Sequence, residues 1–408
     1  MRGTGSFRSF SLSKGALFKF IALLPALLFI LASPAYSSLG LTVGLEDGWV
    51  WQVVLLPPED GWESDSGSSA LAAVRLAEWR VMDSADGVCG RDIRFHQEPA
   101  VDAKTATERV ADWRKRGISA VISFSQGDDI ITLRPHLSGG GPLLLSAFGE
   151  EAGFLDEKGV PETMIFALDM FRDFRISAFS AYASYTLPAG SVVAILADRL
   201  DPMLERCSRN LGDMLSDSEF TVESYWISGG GTDSFRMVES EAISSGARVM
   251  VTWAGSMAIR DIWRATRRRA DGFEIWYGSA PHRLLLSFDG VIVADQDHPV
   301  KTDDSLNSLR REIRERFNIV VKNNDIAGRA YAACEWLLDA FQRAGSPVPS
   351  VLAGVMPEVS GLSLGSQELR IDPATHRPAE RRVTFMTVSE KLFHPVKSLV
   401  VKGQEYLP

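Results

Sequence analysis

The chain alternates short, almost wholly apolar runs with amphipathic stretches of helix length, and that rhythm leaves few folds open. Its clearest instance lies mid-chain. Residues 117–124 read as a buried strand running into the polar corner Ser125, Gln126, Gly127, Asp128, Asp129. Residues 142–146 read as a second, ending in Ser146 and turning at Ala147, Phe148 and Gly149. Runs this short, bounded by Gly and Pro and separated by a helix-length segment, imply parallel strands buried on both faces. In open α/β sheets, ligands bind in the crevice outside the carboxyl ends of such strands. The two corners therefore make half of a candidate binding site.

The same unit recurs. A strand is expected over 50–56, then an acidic loop. The helix over 69–82 that follows is capped by Ser68 or Ser69, with Leu71, Val74, Ala77 and Val81 as its buried stripe. A strand over 93–96 and a helix over 101–116 come next, with Gly117 at the position past the helix end that needs positive φ. Beyond 168, strands are expected at 192–197, 248–253 and 273–277, with helices at 202–215, 235–245 and 257–270. Strand, corner, helix, Gly, strand predicts βαβ crossovers and parallel sheets. Two such series, 41–167 and 168–296, each have the size of one domain. A helix over 326–344 carries Tyr331, Cys334, Leu338 and Phe341 on one face, and strand-like stretches at 369–372 and 383–388 predict an appended hairpin.

Residues 1–37 have the layout of a secretory signal peptide: Arg2, Arg8, Lys14 and Lys19, an apolar stretch over 20–32, and a small-residue cleavage region at Ala35–Ser37. Their removal leaves 371 residues, and losing four positive charges moves the formal charge from −9 to −13. An acidic exported chain argues against nucleic-acid binding, which calls for a basic stripe. No further apolar run is long enough to span a bilayer, so the mature protein is expected not to cross a membrane. Cys89, Cys207 and Cys334 show no metal-type spacing, and no structural disulfide is expected.

These features together resemble a type I periplasmic solute-binding protein, of the kind that serves leucine/isoleucine/valine-type (branched-chain amino acid) ABC importers. Residues 67–82 resemble its first helix after a glycine-containing loop, and 86–93 its glycine-bearing turn into the second strand. Residues 120–129 and 144–149 resemble its paired ligand loops, and 371–378 with Arg382 and Val383 its C-terminal hairpin. The resemblance implies an α/β fold of two doubly wound lobes with mostly parallel sheets, joined by a three-strand hinge crossing near 165–168, 295–299 and 346–350. It divides the chain into lobe 1 (41–167 plus 297–347), lobe 2 (168–296 plus 348–390) and a C-terminal tail (391–408). It also implies an exported monomer whose partners are a small-molecule ligand and an ABC importer permease.

Carried onto this sequence, the first-lobe ligand contacts are Ser125, Gln126, Gly127, Asp128, Ser146, Ala147, Phe148 and Gly149. Free N–H groups at a helix beginning near Asp128 suit a ligand carboxylate. Asp128 and Asp129 crowd that cradle, since two carboxylates there are also good helix N-terminal residues. From the second lobe, Trp253 and Tyr277 are either flat surfaces for a ligand or lobe core. Ser279 stands where amino-acid-binding members carry an acidic residue for the ammonium, which puts an α-amino-acid ligand in doubt. Arg172, Asp173 and Arg175 lie just past the first crossing, where cleft residues occur. The Asp295–His298 run coincides with the second crossing and reads as a turn.

There is no G-x-x-x-x-G-K-[ST] and no H-E-x-x-H in the sequence. The function expected is therefore binding rather than catalysis, without cofactor or metal. The leading expectation is a receptor clamping an amino acid, amide or related polar molecule. The alternative is a ligand sensor or regulatory module on the same fold.

Overall fold

The computed structural model describes residues 50–84, 86–125, 128–148, 160–168, 172–199, 202–227, 232–253, 260–264, 273–279, 283–296, 304–362 and 368–402. The expected signal peptide, with Gln126, Gly127 and Gly149, lies outside them. Five parallel strands form the first sheet: β1 (Val50–Leu56), β2 (Asp92–Gln97), β3 (Ala120–Ser123), β4 (Leu143–Ser146) and β5 (Ile165–Ala167). Their order is β2-β1-β3-β4-β5. Helices α1 (Asp65–Asp83), α2 (Ala106–Lys115) and α3 (Asp128–Leu137) connect the first four strands. Strands β3, β4 and β5 are buried at every residue, as helices on both faces of a parallel sheet require.

The second half repeats the plan. Helix α4 (Arg172–Thr186) leads to β6 (Val192–Asp198), α5 (Pro202–Asp217), β7 (Thr221–Ile227), α6 (Thr232–Ser244), β8 (Val249–Trp253), β9 (Glu274–Tyr277) and β10 (Ile292–Gln296). These strands are parallel in the order β7-β6-β8-β9-β10, the same winding as the first sheet. Two antiparallel strands, β14 (Glu380–Ser389) and β15 (Leu392–Lys402), extend it beyond β10. In each sheet the order reverses between the first and third strands, at β1/β3 and at β6/β8. Such switch points open a crevice at the carboxyl edge.

Helices α7 (Asp304–Phe317) and α8 (Asn324–Ala344) return to the first sheet, where Leu309, Ile313, Ala330, Leu337 and Phe341 join the cluster built on Trp51, Val53, Leu55 and Ile122. A second cluster is continuous from Val54, Val121 and Leu144 on the opposite face to Val193, Val251, Trp253 and Trp276 of the second sheet.

Several boundaries differ from the sequence expectation for local reasons. Helix α1 begins earlier because Ser64, not Ser68 or Ser69, is its cap: the Ser64 hydroxyl accepts from Gly67 N at 2.9 Å. Ser69 is used elsewhere. Its hydroxyl accepts from Lys322 N (3.2 Å) and Asn323 N (3.0 Å), tying α1 to the start of α8. Helix α2 begins later than 101 because the Asp102 carboxylate accepts from Lys104 N (2.9 Å) and Thr105 N (2.8 Å), a turn that competes with the helix.

The C-terminal third needs larger corrections. Residues 368–372 do not pair with 383–388. Strand β12 (Glu368–Asp372) pairs instead with β11 (Ser360–Leu362) and β13 (Arg377–Pro378), while β14 pairs with β10 and β15. The stretch after 391, expected as a tail, supplies an eleven-residue strand. Residues from 348 onward were expected in the second lobe, yet Leu352, Met356, Val359 and Ile371 pack in the first-sheet core, and His376 stacks on Phe166 of β5 at 4.3 Å. Their apolar side chains fill the space beside α8, so the chain joins the second sheet only at β14.

Candidate functional site

Polar side chains gather at the carboxyl edges of both sheets. At the first, the register aligns Leu56, Ser123, Ser146 and Ala167 in one row, the last residues of β1, β3, β4 and β5. Alternation along each strand puts this row on the face shared with Val121 and Leu144. Ser123 Oγ donates to Asp129 Oδ2 at 2.9 Å and lies 3.1 Å from Ser125 Oγ, and Ser125 N donates to Ser123 Oγ at 3.3 Å. Asp129 is 2% exposed. The first turn of α3 thus folds one of its own carboxylates back onto the strand ends, where a bound anion would otherwise sit. Ser146, next to Ser123 in the row, is fully buried and its hydroxyl has no hydrogen-bond partner among the described residues.

The other expected first-edge residues divide. Ser125 joins the Ser123–Asp129 chain. Asp128 begins α3, and its side chain lies outside the description. Ala147 is fully buried, and its N–H continues the ladder to Ser123 O at 2.9 Å, so it contributes backbone rather than surface. Phe148 is half-buried, with the Arg329 guanidinium 4.7 Å above its ring and Asp325 holding Arg329 at 3.0 Å. Two neighbours were not singled out from sequence. Trp62, in the corner after β1, meets Phe124 edge-on at 6.1 Å and donates its indole N–H to Glu98 O at 2.8 Å. The Glu98 carboxylate in turn accepts from Arg109 and Arg116 at 2.6 Å each and from Trp113 Nε1 at 2.9 Å.

At the second edge Trp253 is core. It is 1% exposed, meets Phe179 of α4 edge-on at 6.2 Å, and lies so close to Gly278 that a Cβ there would fall 2.5 Å from the indole. Tyr277 is also buried, but on the opposite face of the sheet, with Ile275 and Val293. The two aromatics therefore do not sandwich a common group. The Tyr277 hydroxyl shares a hydrogen bond with the half-exposed Ser279. Burial pushes the Tyr277 phenol up, against that bond and the nearby Arg175 charge, so it stays an O–H donor at neutral pH.

Arg175, expected among the cleft residues, has a partner that sequence separation hid. From the first turns of α4 it reaches Asp295 at the end of β10, Nη2 to Oδ1 3.5 Å, both side chains mostly buried at 12% and 16% exposure. Its Nε is shut from solvent and has no acceptor among the described residues. Asp295 thus lies in a strand and faces a cation, and among the described residues no group of three or more His, Cys, Asp or Glu side chains is placed to hold a metal ion. Leu168 N donates to Ser146 O at 2.9 Å, so the chain leaves the first edge there and reaches Arg175 only seven residues later. The two edges are linked by a tether of at most about 25 Å.

No protein-family model matches the chain, and neither does any curated protein. Its structure, by contrast, superposes widely. A Rhodospirillum rubrum protein described as a branched-chain amino acid ABC transporter matches with a TM-score of 0.71 at 16% identity, over 85% of this chain and 99% of that one. The substrate-binding protein of an ABC transporter from Desulfitobacterium hafniense, in complex with Leu, matches at 0.69 and 12% identity, over 85% and 100%. The solute-binding protein of an ABC transporter from R. palustris, in complex with benzoate, matches at 0.59 and 13% identity, over 86% and 98%. The chain has the type I periplasmic binding protein fold. At these identities the likeness is one of architecture.

Proposed function

We propose that this protein is an exported solute-binding receptor that closes two lobes over a small polar molecule and hands it to an ABC importer. The observation that carries the reading is the pairing of edges. Two sheets of identical winding place Ser125 and Ser146 at one carboxyl edge and Arg175, Tyr277 and Ser279 at the other. Polar groups kept at strand ends inside an otherwise apolar sheet suit a ligand that completes their hydrogen bonds. Closure would be a hinge motion about the segments between the sheets. Solved neighbours titled as complexes with Leu and with benzoate put small carboxylates among the compounds worth testing.

Binding rather than catalysis, a monomeric state and export after cleavage within 1–37 complete the proposal. Among the described residues no helix is long and apolar enough to cross a membrane. The test is a thermal-shift panel of amino acids, amides, short acids and polyamines on protein purified without its first 37 residues. A ligand at one hundred times its Kd adds about 2.7 kcal/mol to the stability of the native state, which reads as a higher Tm. Silence across the whole panel would sink the receptor reading.

A further inference from the structure

We propose that Arg175 is the anchor for a ligand carboxylate, so that the anionic end of the ligand lies on the second lobe and not at the helix N-terminus of the first. The inference rests on the receptor reading and names the ligand class for it: a small organic carboxylate.

The first edge is poorly placed to take an anion. Asp129, 2% exposed, already brings a carboxylate to the start of α3 and takes the Ser123 hydroxyl at 2.9 Å. A second carboxylate there meets like charge and finds that donor engaged. The second edge has the opposite balance. A guanidinium keeps its charge and offers five N–H donors in a fixed fork. Arg175 uses one Nη on Asp295 at 3.5 Å, the long limit of a hydrogen bond, and among the described residues its Nε meets no acceptor. Asp295 fixes the direction of the side chain without filling the fork. The Tyr277 hydroxyl lies close enough for its ionisation to respond to the Arg175 charge, and with the half-exposed Ser279 it adds O–H donors beside it. A planar carboxylate matches such a fork with two parallel hydrogen bonds, which an amide of the same shape does not reproduce.

The experiment compares matched pairs on the same protein: benzoate with benzamide, phenylacetate with phenylacetamide, leucine with leucinamide, and phenethylamine as a cation. Thermal shift screens them and calorimetry follows any hit. The expected result is binding by at least one carboxylate and none by its amide. Binding should weaken at least about tenfold in Arg175→Lys, which keeps the charge and loses the fork, and vanish in Arg175→Gln. The melting curve of each variant without ligand establishes that it folds. If Arg175→Gln does not fold, Arg175→Lys and the wild-type pairs decide the matter. A carboxylate held equally well by Arg175→Gln overturns the anchor, as does an amide bound as tightly as its acid. Binding of amides or amines without any carboxylate overturns the anion assignment and leaves the receptor reading standing. No shift by any compound overturns both.

Discussion

The two carboxyl edges share a strand order but handle their polar groups in opposite ways. At the first, short side chains bond one another: Ser123, Ser125 and Asp129 form one chain within a single strand–corner–helix unit. At the second, large side chains fill the strand ends, and the ion pair of Arg175 with Asp295 spans 120 residues of sequence. The first edge is therefore a local product of one βα corner, while the second exists only once the second sheet and its helices are assembled. One edge is fixed by its own turn, and the other depends on how helix α4 settles over β9 and β10.

The largest expected effect tests whether the second edge is built on core or on contact surface. Trp253→Ala removes an indole packed against Phe179 and Gly278, and should cost about 3–5 kcal/mol in urea denaturation. A stability near wild type with lost ligand affinity would instead make Trp253 a contact surface. Gly278→Ala probes the same packing from the other side. Its Cβ would meet the indole at 2.5 Å, and overpacking of that kind costs about 1–3 kcal/mol. An unchanged midpoint for Gly278→Ala would show that the indole can move aside.

How much of this was legible in the sequence follows from the same contrast. The corners after β3 and β4 could be read directly, because a short apolar run ending in Ser and Gly is a local pattern. Ser123 could not, since it sits inside the run and only register puts it beside Ser146. Strand β7 went unread because it is a sheet edge, and Thr221–Ile227 mixes exposed and half-buried residues without clean alternation. The partner of Arg175 was hidden by distance, although both members lie at positions that the sequence marks as crossings. The terminal hairpin was assigned the wrong partner because local β-propensity shows that 369–372 and 383–388 are strands but carries no information on which edge each one meets. Trp62 carried only a weak signal, a lone aromatic in an acidic corner at the switch point between β1 and β3.

The finest test separates two serines that differ in almost nothing but a partner. Ser123 and Ser146 are register neighbours on one face of the first sheet, both fully buried, both at the last position of a parallel strand. Ser123 donates to a carboxylate, so Ser123→Ala should cost about 1–2 kcal/mol and leave Asp129 short of a donor. Ser146 meets no acceptor among the described residues, and burying a hydroxyl without a partner is unfavourable, so Ser146→Ala should lie within about 0.5 kcal/mol of wild type or above it. Such a difference in ligand-free protein would mean that the first edge is self-satisfied at Ser123 and incomplete at Ser146. Equal losses at both would mean that Ser146 is satisfied within the folded chain, and the asymmetry between the two edges would shrink accordingly. Should Ser146→Ala stabilise the empty protein and weaken ligand binding, the unbonded hydroxyl would be one that natural stability leaves open for the ligand to fill.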